Sequence, residues 1–275
     1  MKRLLLPGLL LAVTSALAHE FWLQPTRFAV AAGSRVHLGR WVGADFQGTR
    51  WTGRSARLEQ LLHLPPGTAE PTDLTTPARQ ADTLSTTVEL RQPGVHLLAL
   101  RTNDAFITLP AAEFEAYLKE EGLSDISWQR QRRKQQDQPG REAYRRCAKT
   151  LVLAGSAAAV AAADTTYRRR VGHPLEIIPE QNPYTLAPGA SLTVRVLADG
   201  RPAVAQAVQV WLRPLGGQPA KHFTLHTNQN GRALFQLQAP AEVLLAAVRM
   251  VPLAKHPQAD WQSTWASLTF GAAAR

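Results

Sequence analysis

The feature that most constrains this chain is the rhythm of its last part. Short alternating segments, rich in β-branched and aromatic residues, are cut by Gly and Pro. They are Leu175–Ile178, Leu192–Leu197, Val208–Arg213, His222–His226, Ala233–Gln238, Val243–Arg249 and Thr264–Phe270. Turn signals stand between them at Ala187-Pro188-Gly189, Asp199-Gly200 and Asn230-Gly231. Seven strands within roughly a hundred residues predict an immunoglobulin-like sandwich. The Asn-Gly pair between two strands is a hairpin signal.

The front of the chain reads the same way. Strands are expected at Arg27–Ala31, Arg35–Val42, Arg57–Leu64, Thr86–Arg91, Val95–Thr102 and Phe106–Leu109, with long loops in the Thr- and Pro-rich text between Arg50 and Ser85. VHLLALR at 95–101 echoes VLLAAVR at 243–249, as if both were late strands of similarly built sandwiches.

Between the two blocks the period changes. Phe114, Tyr117, Leu118 and Glu121 fall at helical spacing, Gly122 is placed to stop that helix, and Ser124 and Asp125 can cap a second one. The second helix carries Trp128 and the basic run Arg130, Arg132, Arg133, Lys134; Arg141–Ala148 reads as a further helical turn or two. The expected fold is therefore mainly β: a sandwich over 19–110, a helical insertion over 111–149, a connecting strand and Ala-rich loop over 150–171, and an immunoglobulin-like sandwich over 172–275.

Residues 1–18 read as a secretory signal peptide. Lys2 and Arg3 precede an apolar run from Leu4 to Val13, and Ala16-Leu17-Ala18 supplies the small-residue cleavage site. Neither that run nor Leu151–Ala163 reaches the ~20 residues a membrane span needs, so a soluble periplasmic protein is expected. The net charge of +10 falls by two on cleavage. In an exported protein this surplus argues against nucleic acid and for an anionic envelope surface, met through Arg130, Arg132, Arg133 and Lys134. One cysteine, Cys147, excludes an internal disulfide framework and a Cys-rich zinc site; its apolar neighbours make it a buried small hydrophobe.

Cleavage after Ala18 makes His19 the first residue. Its free amine and ring Nδ1 then close a chelate ring on one cation, and imidazole suits Ni, Co, Cu or Zn. The amine titrates at about 7.7–8.0, so binding weakens in acid. If Arg27–Ala31 and Arg35–Val42 form a hairpin about Ala32-Gly33, His19 lies opposite the Gly43–Phe46 region and Asp45 is the nearest carboxylate, provided Pro25 does not break the register. His37 and His96 are further candidates, though a packed or rim histidine is the plainer reading of each. His222 and His226 sit on one strand ~13 Å apart and cannot share an ion. His63, His173 and His256 look isolated.

No enzyme is indicated. G-x-S-x-G, H-E-x-x-H, P-loop and G-x-G-x-x-G are all missing, and Glu120-Glu121 read as solvated. A copper brace of the oxidative kind would need a second histidine that the sequence does not single out.

Six ordered phrases resemble one family: HEFWLQP at 19–25, EFEAYLKEEGL at 113–123, REAYRRCAKTLV at 141–152, GHPLEIIPEQNPY at 172–184, GRALFQL at 231–237 and DWQSTWASLTF at 260–270. The chain is similar along its length to the bacterial domain of unknown function 4198 family, exported proteins labelled as nickel-uptake components. The resemblance implies a periplasmic accessory that binds nickel or cobalt through its processed N-terminal histidine and hands it to an inner-membrane metal importer. His19 occupies that place, with Glu20 where relatives often carry Asp. The alternatives are a metal-free envelope interaction module of two sandwiches, acting through Trp128–Lys134, and the copper enzyme above.

Overall fold

The structure, a computed structural model, describes residues 20–53, 55–67, 70–80, 85–160, 163–187, 189–237 and 240–272. The expected leader over 1–18 and His19 lie outside these residues. The first half runs β1 (Glu20–Pro25), β2 (Ala29–Val30), β3 (Ser34–Ala44), β4 (Gln47–Arg50), β5 (Leu58–Leu64) and β6 (Thr72–Asp73). A short helix α1 (Thr75–Gln80) follows, then β7 (Ser85–Leu90), β8 (Gly94–Thr102) and β9 (Ala105–Leu109). Helices α2 (Ala111–Glu120) and α3 (Ser124–Arg132) lead into the long strand β10 (Gly140–Ala154). The second half is all strand: β11 (Leu175–Pro179), β12 (Ser191–Ala198), β13 (Arg201–Pro202), β14 (Ala207–Pro214), β15 (Lys221–His226), β16 (Arg232–Gln236), β17 (Ala241–Pro252) and β18 (Trp261–Ala272).

Both halves are built to one plan. In the first, β3 pairs with β1, β4 and β7 in a small sheet; in the second, β12 pairs with β11, β13 and β16 in the same pattern. The larger sheet runs β15-β14-β17-β18-β10-β8-β5-β6, with β2 and β9 also pairing β10. Its two ends, β6-β5-β8-β10 and β15-β14-β17-β18, mirror each other. They meet where the last strands of the two halves, β10 and β18, pair in parallel from Glu142↔Trp261 to Thr150↔Thr269.

This shared sheet is buried on both faces. Leu98, Leu100 and Val152 pack with Leu23, Leu38 and Val88 of one small sheet. The alternate residues Leu97, Leu151 and Leu153 pack with Ile177, Val194 and Val196 of the other. Successive strand residues point to opposite faces, so a strand covered on both sides reads as a continuous apolar run. This is why VHLLALR and VLLAAVR echo: they are β8 and β17, equivalent strands flanking the seam.

Three expectations change. Arg141–Ala148 is strand, part of β10, because β9 and β18 pair with its two edges and override the helix propensity of its residues. The insertion consequently ends with α3. With β9 it lies in the chain between β8 and β10, which pair with each other. Asn230-Gly231 joins β15 to β16, which belong to different sheets, so it turns the chain between layers instead of closing a hairpin. Gly231 is required there: its φ is +71° and a Cβ would lie 2.6 Å from the Val196 carbonyl oxygen. Last, Arg27–Ala31 narrows to Ala29–Val30, which pairs with β10 instead of β3.

Pro25 does not interrupt the first strand pair. The register runs unbroken from Glu20↔Gly43 to Pro25↔Leu38, because β1 pairs on one side only and tolerates a residue without an N–H. No helix among the described residues is long and apolar enough to cross a membrane.

Candidate functional site

Four elements bring acidic residues together at the start of β1. The β3–β4 hairpin closes over Asp45 and Phe46, both left-handed at φ 54° and 57°. A two-residue turn with positive φ at both positions matches strand twist but strains a side chain as large as Phe. Burial holds Phe46 there: its ring meets Trp22 edge-on at 5.7 Å, and the Arg213 guanidinium lies 4.0 Å from its centre. Asp45 is thereby set beside Glu20, which pairs with Gly43.

Helix α2 docks Phe114, Tyr117 and Leu118 against Trp265 and Val248 of the large sheet, and its C-terminal end delivers Glu120 and Glu121. Strand β10 delivers Glu142. The Tyr117 hydroxyl donates to Glu142 Oε1 at 3.2 Å and the Ser263 hydroxyl donates to the same oxygen, while Trp265 Nε1 donates to Ser263 Oγ at 3.2 Å.

Three of these carboxyls hold protons far above the usual range. Burial pushes Glu20 up to about 7, with the charges of Asp45 and Glu120 adding to it. Burial pushes Glu121 up to about 8, helped by Glu20, Glu120 and Glu142. Glu142 reaches about 7, again through burial, opposed by the bonds from Ser263 and Tyr117. Glu20 Oε2 is buried with no hydrogen-bond partner. Two of the acids also occupy the C-terminal end of α2, where the helix dipole disfavours negative charge. Among the described residues no set of three or more His, Cys, Asp or Glu converges closely enough to hold a metal ion.

Of the residues marked in the sequence, Asp45 lies in the β3–β4 turn near Glu20, and His19, beside which it was expected, lies outside the described residues. His37 is not near Glu20: it is exposed six residues along β3 from Gly43, ~20 Å away at strand rise, and its Nδ1 is 2.9 Å from Thr87 Oγ1. His96 is buried elsewhere, with Nδ1 2.8 Å from His63 Nε2 and Nε2 2.8 Å from the Gln92 carbonyl oxygen. His63 is thus paired rather than isolated, and neither His37 nor His96 supplies a second histidine near Glu20. Glu121, read as solvated, is buried at 7% exposure. The signal was present: Glu121 continues the Phe114–Tyr117–Leu118 stripe, and an acid on an apolar stripe is turned inward with it. Glu142 was missed because its segment read as helix.

The basic surface is also smaller than expected. Arg130 is 1% exposed; it bonds Glu115 Oε1 at 2.6 Å and the carbonyls of Gln135 and Gln138 at 2.8 and 2.7 Å. Its charge closes the end of α3 instead of facing solvent. Arg132 lies over the Trp128 ring and Arg133 over Trp261, leaving these two and Lys134 outside.

Solved structures align with the chain at low similarity. A two-domain fibronectin type III segment from chicken tenascin is 11% identical, over 90% of this chain and 98% of that one, with a TM-score of 0.21. The three N-terminal domains of the highly immunogenic outer capsid protein of bacteriophage RB49 are 9% identical over 93% and 71%, with a TM-score of 0.21. The FN1–FN3 domains of chicken CNTN1 are 10% identical over 90% and 66%, with a TM-score of 0.18. No curated protein matches the sequence. A family model described as "Domain of unknown function (DUF4198)" matches residues 16–250, and the chain belongs to that family.

Proposed function

We propose that the protein is exported to the periplasm, trimmed after Ala18, and binds one transition-metal ion at its new N-terminus as an accessory of nickel or cobalt uptake, releasing it to an inner-membrane importer. The amine and imidazole of His19 provide two nitrogen ligands, and carboxylates from Glu20, Asp45 or Glu121 complete the set. The observation that carries this reading is the orphaned buried oxygen of Glu20, the residue that follows His19, with the carboxyls of Asp45, Glu120 and buried Glu121 near it. Such a group fits a cation: burial holds the carboxyls of Glu20, Glu121 and Glu142 protonated, and a metal ion beside them would favour ionising them.

The second reading has an observation of its own. No three described ligands converge, and the freed amine alone could neutralise the acids. The protein would then be a metal-free envelope interaction module.

Mass spectrometry of the secreted chain, followed by equilibrium dialysis against Ni, Co, Cu and Zn with elemental analysis, separates the two. The metal reading expects a chain starting at His19 that retains one ion. Binding disappears in His19→Ala and in leader-retaining protein, and weakens about tenfold or more in Glu121→Gln. Binding that survives His19→Ala, or no binding by the correctly trimmed chain, overturns it.

A further inference from the structure

A second site lies on the outer face of the small sheet of the second half, independent of the N-terminal carboxyls. Arg195 on β12 and Arg232 on β16 are direct cross-strand partners. Like charges in that relation repel, and a fold normally avoids them unless something negative stands between. Glu180 does so: it accepts from Arg232 Nε at 2.9 and 2.8 Å on its two oxygens, and Arg195 approaches it at 3.0 Å. One carboxylate therefore serves two guanidiniums.

Opposite them, the segment before β11 contributes Arg168 and Arg170. Both are exposed, and among the described residues their side chains make no hydrogen bond or ion pair. Together these groups line a surface cavity of about 390 Å³. Four guanidiniums face one carboxylate, a surplus of three positive charges. Arg195 Nε is buried without an acceptor, which is costly for a charged donor. Gln181 also lines the cavity; its Oε1 accepts from Thr193 N at 2.7 Å, which leaves its amide N–H groups to donate.

We infer that this cavity is a binding site for a phosphate-bearing anion of two or three negative charges. Guanidinium forks match phosphoryl oxygens two at a time, and the surplus charge matches a diphosphate or a phosphomonoester. The volume exceeds a single inorganic phosphate and lies in the range of small-molecule sites, so the ligand carries more than one phosphoryl group or an organic body. The same chemistry is found in a soluble phosphate compound and in an anionic phospholipid headgroup.

Isothermal titration with inorganic pyrophosphate tests the site, with flotation of phosphatidylcholine vesicles carrying phosphatidic acid as the lipid arm. Two charge-matched double variants of the full chain are compared. Arg168→Ser with Arg170→Ser removes two lining groups, and Arg132→Ser with Arg133→Ser removes two exposed arginines on the far helix. All four side chains are exposed, so both variants are expected to keep the wild-type melting transition. The expected result is one pyrophosphate per chain, weakened at least about tenfold by the first pair and little by the second. Vesicle binding with the same dependence supports the site and assigns its source to a lipid headgroup. Binding of neither probe by the wild-type chain, or equal weakening by both pairs, overturns the inference.

Discussion

His96 donates its Nε2–H to the Gln92 carbonyl, which leaves Nδ1 to accept from Nε2–H of His63. Both rings are neutral in this arrangement. Burial pushes His63 down to about 4 and His96 below its usual value. The unfolded chain takes protons near 6.5 that the folded one refuses, so the stability present above that pH is lost as pH falls through about 4. Glu142 works in the opposite direction. Its folded value near 7 means that the folded chain keeps a proton that the unfolded chain releases above about 4.5, and stability falls as pH rises toward 7. The two effects oppose each other at intermediate pH. Thermal melts should show a midpoint that drops below about pH 4.5, with a shallower drop in His63→Gln. Above about pH 6.5 Glu142→Gln should make a decline seen in the wild type shallower, with Glu20 and Glu121 supplying the remainder. At this scale the backward continuation of the β3 pairing to Glu20 was legible, although it runs through β1 and not through the expected Arg27–Ala31 strand. The His63–His96 pair was not: it depends on the pairing of β5 with β8, and no local pattern announces which distant strands become neighbours.

Strand existence was readable in the second half except at the two-residue β13; alternation marks β12 and β16, whereas β11, β17 and β18 read as apolar runs. The reading failed at β10. Its first residues favour helix in isolation, and only pairing on both edges makes them strand. Helices α2 and α3 were legible from their period, but the inward turn of Arg130 was not, since a basic run looks solvated from the sequence. Arg130 joins Glu115 of α2 to the carbonyls that follow α3. Truncation removes the charge that compensates partly buried Glu115 and one donor from each of the Gln135 and Gln138 carbonyls. Arg130→Ala should cost about 3 kcal/mol in urea unfolding, whereas Arg132→Ala should change stability little.

The two halves are joined by more than the parallel β10–β18 pair. Lys149 on β10 bonds Glu176 on β11 at 2.9 Å, with both side chains almost fully buried. The Tyr184 hydroxyl lies within hydrogen-bond distance of the carbonyl oxygens of Leu151, at 2.7 Å, and Phe28, at 3.0 Å. Thr269 on β18 donates to the Leu23 carbonyl at 2.6 Å. With so many buried ties, calorimetry should show one unfolding transition for both halves. Lys149→Met alone should destabilise by about 3–5 kcal/mol, and adding Glu176→Leu should recover most of the loss, because an apolar pair replaces a desolvated ionic one. Two separate transitions in the wild type would contradict this coupling. The central seam also sets an order of assembly. The edge of β10 needs a partner that lies roughly a hundred residues further along the chain, so the shared sheet cannot close until the final strand is present. Until then the first half presents an open strand edge to its surroundings, and must be shielded or stay unfolded.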